Sequence, residues 1–108
     1  MRDNVKGGAL TEVTFFILLS LYEPRHGYAI MQFIDVKTNS RLILGAGSLY
    51  GAINSLLEKK WIALYGDDND RKKVYIITSL GKEIVQQEII RLNEALSIAY
   101  QITKGESQ

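Results

Sequence analysis

The stretch Gly45 to Ile62, GAGSLYGAINSLLEKKWI, limits what this chain can become more than any other. Leu49, Ala52, Ile53, Leu56 and Leu57 fall at i, i+3, i+4, i+7 and i+8. That is the apolar stripe of a helix lying on a core. The opposite face holds Gly47, Ser48, Gly51, Asn54 and Ser55, all small or short and polar, with Tyr50 on its flank. A solvated helix face usually carries Lys and Glu and avoids Gly, which costs about 1 kcal/mol against Ala in a helix interior. A face of small residues lets another surface approach the helix backbone closely, and a DNA major groove is one such surface. The same residues also fit a weak helix start held by tertiary packing.

The rest of the chain must supply the core for that helix. With 108 residues, 46% of them apolar, one domain with a small core is expected, and a partner chain would enlarge it. Cysteine is absent, which excludes disulfides, thiolate metal sites and cysteine nucleophiles. The one histidine, His26, cannot make a metal cluster by itself. The net charge of +1 places any nucleic-acid binding in a local patch. The longest apolar run, Phe15 to Leu19, is far too short to span a bilayer and is not followed by a small-residue cleavage site. A cytoplasmic protein without a membrane partner is the expectation.

In chain order, Met1 to Gly8 is polar, ends in two glycines and reads as a loose arm. A first helix is expected over Leu10 to Tyr22, with Thr11 as N-cap and Glu12 in the first turn. It is apolar almost all round, with Phe15 and Phe16 among its residues, so it should be buried on more than one side. One of those sides suits a subunit interface. Pro24, the only proline, breaks the helix. A second helix runs from about His26 to Val36, with Tyr28, Ile30, Met31 and Ile34 inward and His26 as a structural N-cap. Lys37 to Leu44 connects it to the organising helix.

After Lys59-Lys60 the apolar period changes to about two. Trp61 to Tyr65 and Lys73 to Thr78 read as strands around the turn-rich Gly66 to Arg71, forming a β-hairpin. Thr78 offers an N-cap to a long last helix, Ser79 to Lys104, closed by Gly105. Val85, Ile89, Leu92, Leu96 and Ala99 step by four, three, four and three, a heptad seam that Ile84, Ile90, Ile98 and Ile102 widen. A terminal helix this apolar calls for a partner, and a second copy is the simplest one.

No catalytic constellation is present, so an enzyme is not expected. There is no Walker loop, and Gly45-x-Gly47 lacks the third glycine of a dinucleotide fingerprint. Asp67, Asp68 and Asp70 read as a solvated loop tip, because the bidentate glutamate of a calcium loop is missing. No cofactor or metal is predicted, and Trp61 reads as core.

Three helices, a hairpin and a long helix make a mainly α chain with a β-hairpin (α+β), a winged helix-turn-helix plus a C-terminal dimerisation helix. The predicted boundaries are an arm over 1–8, the winged domain over 9–78, the dimerisation helix over 79–104 and a tail over 105–108. Ser48, Tyr50 and Asn54 are the candidate DNA contacts on the third helix, where Asn54 suits adenine. Arg71, Lys72 and Lys73 would hold the backbone beside it. Tyr50 has an alternative place, packed against the second helix. Phe15, Phe16, Val85, Ile89, Leu92, Leu96 and Ala99 are the candidate dimer interface. Fold alone leaves a winged-helix protein-interaction module open as well.

Five short motifs carry a resemblance. His26-Gly27-Tyr28 opens the second helix, and Gly47-Ser48-Leu49-Tyr50 opens the third. Leu56-Leu57-Glu58-Lys59 lies toward the end of the third. Arg71-Lys72-Lys73-Val74-Tyr75 leads the second wing strand, and Thr78-x-x-Gly81 follows it. In this order, over about residues 9 to 104, they resemble the PadR-type transcriptional regulators, small subfamily. The resemblance implies a cytoplasmic homodimer that binds a palindromic operator in double-stranded DNA. It implies a repressor, often released by a small hydrophobic effector, with a dimer made mainly by the last helix and helped by the first. Two departures stand out. The acidic tip Asp67-Asp68-Asn69-Asp70 replaces a Gly-rich or basic one. The last helix has no tryptophan, so the family's stacking site for planar drugs does not carry over.

Overall fold

The structure is a computed structural model, and it describes residues 5–6, 9–66 and 72–106. Its elements run β1 (Val5–Lys6), β2 (Ala9–Leu10), α1 (Glu12–Ser20), β3 (Arg25–His26), α2 (Gly27–Lys37), α3 (Ala46–Glu58), β4 (Ile62–Leu64), β5 (Val74–Ile77) and α4 (Ser79–Glu106). The order of helices and hairpin strands is the one expected from the sequence.

The helix starts follow their caps. Thr11 accepts a hydrogen bond from Thr14 N–H at 3.3 Å and so begins α1. His26 Nδ1 accepts Ala29 N–H at 3.4 Å and begins α2, the structural role expected of it. Thr78 Oγ1 accepts Gly81 N–H at 3.1 Å at the start of α4. Ends are less regular. α1 stops at Ser20, where Leu21 and Tyr22 N–H donate back to Leu18 and Leu19 in a tightened last turn. α4 runs through Gly105 to Glu106, so Gly105 does not close it.

Three helices and the sheet enclose one core. Ile17, Leu18 and Leu21 from the end of α1 meet Ile30 and Ile34 of α2 and Leu49, Ile53 and Leu56 of α3. Ile62, Tyr75, Ile77 and Val85 close it from the wing and α4. On α2 the inward stripe is Gly27, Ile30 and Ile34, spaced i, i+3, i+7. Anchoring the stripe on Gly27 turns Tyr28 about 100° away, and Tyr28 is 61% exposed where the sequence placed it inside. On α3 the apolar stripe is inward as expected, but Ser55 is buried too and does not belong to the open face.

The sheet has three antiparallel strands in the order β3-β5-β4. β5 is central, with Ile62 opposite Ile77 and His26 opposite Val74. β3 was not legible in the sequence, because two residues show no period. Its pairing fixes the start of α2 beside the wing. At the other end, Val5–Lys6 pairs with Ala9–Leu10, so this part of the expected loose arm is a strand. Leu10 N–H then donates to Glu88 Oε1 on α4 at 3.3 Å.

α4 has 28 residues, which makes it about 42 Å long at 1.5 Å per residue. Its first half lies on the domain, with Gly81, Val85 and Glu88 buried. From Leu92 onward every described side chain is exposed. Of the expected seam, Val85 is 1% exposed and packs into the chain's own core, whereas Leu92, Leu96 and Ala99 stay open. The heptad step is the same on both sides of this boundary, which is why the sequence alone did not separate Val85 from Leu92.

Candidate nucleic-acid interface

α3 presents its N-terminal half to solvent. Gly47, Ser48, Gly51 and Asn54 are exposed, while Leu49 and Ile53 are buried on the reverse side. No side chain caps its first turn, where Gly45 is the N-cap. The first amide hydrogens of such a helix suit an anion. Tyr50 stands on one flank, 45% exposed. Its ring lies over Gly27, where an added Cβ would sit 2.2 Å from the Tyr50 hydroxyl oxygen. A larger residue at this position would displace the end of the Tyr50 side chain, which links the glycine of the His26-Gly27-Tyr28 motif to the place of Tyr50. Tyr50 thus packs against α2 and stays partly open to solvent.

On that flank is a groove of about 470 Å³ lined by His26, Gly27, Tyr28, Tyr50, Lys72, Lys73 and Tyr75. Two lysines, three tyrosines and a histidine make it a surface for a negatively charged, hydrogen-bond-accepting partner. Both lysines line it. Strand alternation would have turned one of them away, but β5 begins only at Val74, so Lys72 and Lys73 precede the pleat. Tyr28 is the residue that sequence reasoning missed; reading Gly27 as the inward anchor of α2 would have found it. Arg71 and the acidic tip 67–70 lie outside the described residues.

The other flank of α3 is different. A groove of similar size is lined by Thr11, the N-cap of α1, by Val13 and Thr14 of α1 and by Gly47, Ser48, Gly51 and Ser55 of α3. Beside it, Arg41 makes a two-pronged ion pair with Glu12. The Arg41 guanidinium holds the Glu12 carboxyl below its ordinary value. Glu12 in turn raises Arg41.

The second set of candidate residues gathers on α1 and α4. Phe15 and Phe16 are half-buried and meet edge to face at 6.0 Å. Phe16 lines an open apolar groove of about 570 Å³ with Leu19, Tyr22, Phe33, Val85 and Ile89. Beyond it Leu92 is 40% exposed and Leu96 50% exposed, and Ala99 is exposed as well. Glu88, 4% exposed, accepts two hydrogen bonds from Arg91 at 3.0 and 2.6 Å. The Arg91 bonds hold its carboxyl below the ordinary value against the opposing effect of burial, with help from Leu10 N–H.

Among the described residues no group of three or more His, Cys, Asp or Glu could hold a metal ion. No helix among them is long and apolar enough to cross a membrane.

Three packed helices, a strand pair after the third and an open third helix define a winged helix-turn-helix protein. Residues 17–87 match the profile of the transcriptional regulator PadR-like family, and the chain belongs to that family. The fold is similar to that of a transcriptional regulator from Clostridium thermocellum, 26% identical, with TM-score 0.73 over 82% of this chain and 87% of that one. A PadR family transcription regulator from Clostridium difficile is 20% identical, with TM-score 0.71 over 86% of this chain and 99% of the other. H. salinarum RosR is likewise 20% identical, with TM-score 0.68 over 91% and 94%. No curated protein matches the sequence. This is a family of transcription regulators, not of enzymes.

Proposed function

We propose that this PadR-like regulator binds duplex DNA as a homodimer and represses transcription at a palindromic operator. The observation that carries the reading is the exposed, small-residue face of α3 with the lysine- and tyrosine-lined groove beside it. Gly47 and Gly51 let the helix backbone approach base edges in a major groove. Asn54, exposed on the same face, suits the paired donor and acceptor of adenine. Ser48, Tyr50 and Tyr28 offer hydroxyls, and Lys72 and Lys73 offer charge, to the phosphates that flank the groove. Arg71 belongs to the same basic run.

The far half of α4 supports the homodimer. Leu92 and Leu96 continue the stripe that Val85 and Ile89 begin, and both stand exposed among the described residues. A second copy supplies an identical helix, and two-fold pairing matches a two-fold operator. In this arrangement residues 9–78 read DNA and 79–104 hold the dimer. A small hydrophobic effector would enter between subunits, where Phe15 and Phe16 of α1 face α4, and release the operator by moving the two reading helices.

The test is binding of the purified protein to genomic and random duplexes across a salt series. The expected result is affinity that falls steeply with salt, with a sequence-dependent part on top. No duplex affinity at low salt would refute the DNA reading and leave a protein-interaction module.

A further inference from the structure

The start of α4 is fastened to the end of α3 by contacts that the proposed DNA face does not use. Two residues past the end of α3 stands a left-handed residue that is not glycine: Lys60 has φ +63°. Lys60 N–H donates to Leu57 O at 3.0 Å and Trp61 N–H to Leu56 O at 3.1 Å, so the chain leaves the helix within two residues. A lysine in this region is strained and persists where its surroundings over-determine it. Thr78 does so. Its Oγ1 lies 2.7 Å from Lys60 O and 3.0 Å from Trp61 O, sharing one hydroxyl proton between them. Its N–H donates to Trp61 O at 3.0 Å. The same Oγ1 accepts Gly81 N–H as the cap of α4.

Gly81 completes the joint. An added Cβ there would sit 2.2 Å from Trp61 O, so only glycine lets α4 come this close to the turn after α3. One residue before Thr78, Ile77 N–H donates to Leu21 O at 2.9 Å, which ties the same point to the end of α1. Both ends of the joint are thus held by backbone atoms, which cannot rearrange as a flexible side chain can.

We infer that Thr78 and Gly81 are positioning residues: they lock α3 to α4, so that pairing of two α4 helices fixes the separation of two reading helices and the half-site spacing the dimer accepts. This rests on the DNA-binding homodimer proposed above. Adding one base pair between half-sites moves one of them about 3.4 Å along the duplex and about a tenth of a turn around it. A hinged joint would absorb that displacement; a rigid one transmits it as lost contacts.

The experiment uses a duplex selected by the wild-type protein from a random pool, and copies with one base pair added or removed between half-sites. Affinity for each is measured with wild type, Thr78→Val and Thr78→Ser, beside sedimentation and thermal melting. Valine keeps the shape and removes the hydroxyl; serine keeps the hydroxyl. The wild type should lose about tenfold or more on the altered spacings. Thr78→Val should remain a folded dimer and lose most of that discrimination, and Thr78→Ser should restore it. A dimeric Thr78→Val with wild-type spacing preference overturns this inference and leaves the DNA reading standing, as does a wild type indifferent to spacing. No duplex affinity in the wild type overturns both. If Thr78→Val does not fold, Thr78→Ala takes its place, since alanine removes the hydroxyl that Lys60 O and Trp61 O share and keeps the backbone N–H bond to Trp61 O; wild-type spacing preference in that variant overturns the inference.

Discussion

Two parts of this molecule are open to solvent and differ in kind. The outer face of α3 is small, polar and flanked by lysines; the far half of α4 carries Leu92, Leu96, Ile98 and Ile102 into water. The first surface loses little by standing exposed, because water satisfies it. The second leaves contiguous apolar area uncovered, at about 25 cal/mol for each Å², and soluble proteins rarely leave such a patch without a partner. Exposure alone says nothing of role. Its chemistry does: a polar face with charge beside it suits a polyanion, and an apolar stripe at heptad spacing suits another helix.

The largest expected effects come from breaking the apolar surface. Val85→Asp places a charge in the chain's own core and should cost about 3–5 kcal/mol, enough to unfold much of the protein. A Leu92→Glu, Leu96→Glu double variant should stay folded and become a monomer, and its operator affinity should fall by about 10²–10⁴ as avidity is lost. Circular dichroism melts, sedimentation and duplex titration separate the two. A double variant that remains a normal dimer would remove α4 from the interface and erase the contrast drawn above.

The polar surface is probed next. Lys72→Ala with Lys73→Ala should weaken binding to all duplexes about equally and flatten the salt slope by roughly one for each lost phosphate contact. Both side chains line one groove, so the two single variants should act alike. If one of them alone accounts for the whole change, only one lysine reaches the backbone.

Asn54→Ala sharpens the distinction between charge and reading. It should cost roughly 1–3 kcal/mol on the operator, relax preference at one position of each half-site and leave the salt slope unchanged. Binding to a set of operators substituted base by base measures this. An equal loss on random duplex would make Asn54 a backbone contact.

The smallest effect concerns the boundary between the two halves of α4. The Glu88 carboxyl is held below its ordinary value by Arg91. A depressed folded value means the contribution is present above the unfolded carboxylate range and is lost as pH falls through the folded value. The melting temperature of the wild type should therefore drop more steeply below about pH 4 than that of Glu88→Gln. Parallel curves would show that the pair adds nothing to stability.

Much of this was readable in the residues. Periodicity located all four helices and both hairpin strands, and Thr11, His26 and Thr78 marked three helix starts through hydrogen bonds to residues three positions on. Those signals are local, so one sequence carries them. What the residues could not show depends on distance in space. Gly27 is buried beside the end of the Tyr50 side chain, a contact across 23 positions of chain, and Tyr28, its neighbour on the helix, is turned outward. Ser55 is buried and Val85 belongs to the core for the same kind of reason: their burial comes from packing between elements, and nothing in their own helix says so. β3 is too short to have a period and exists only because β5 is there to pair with it. Local hydrogen bonding and side-chain period determined which elements form; close approach between elements decided which faces they keep open.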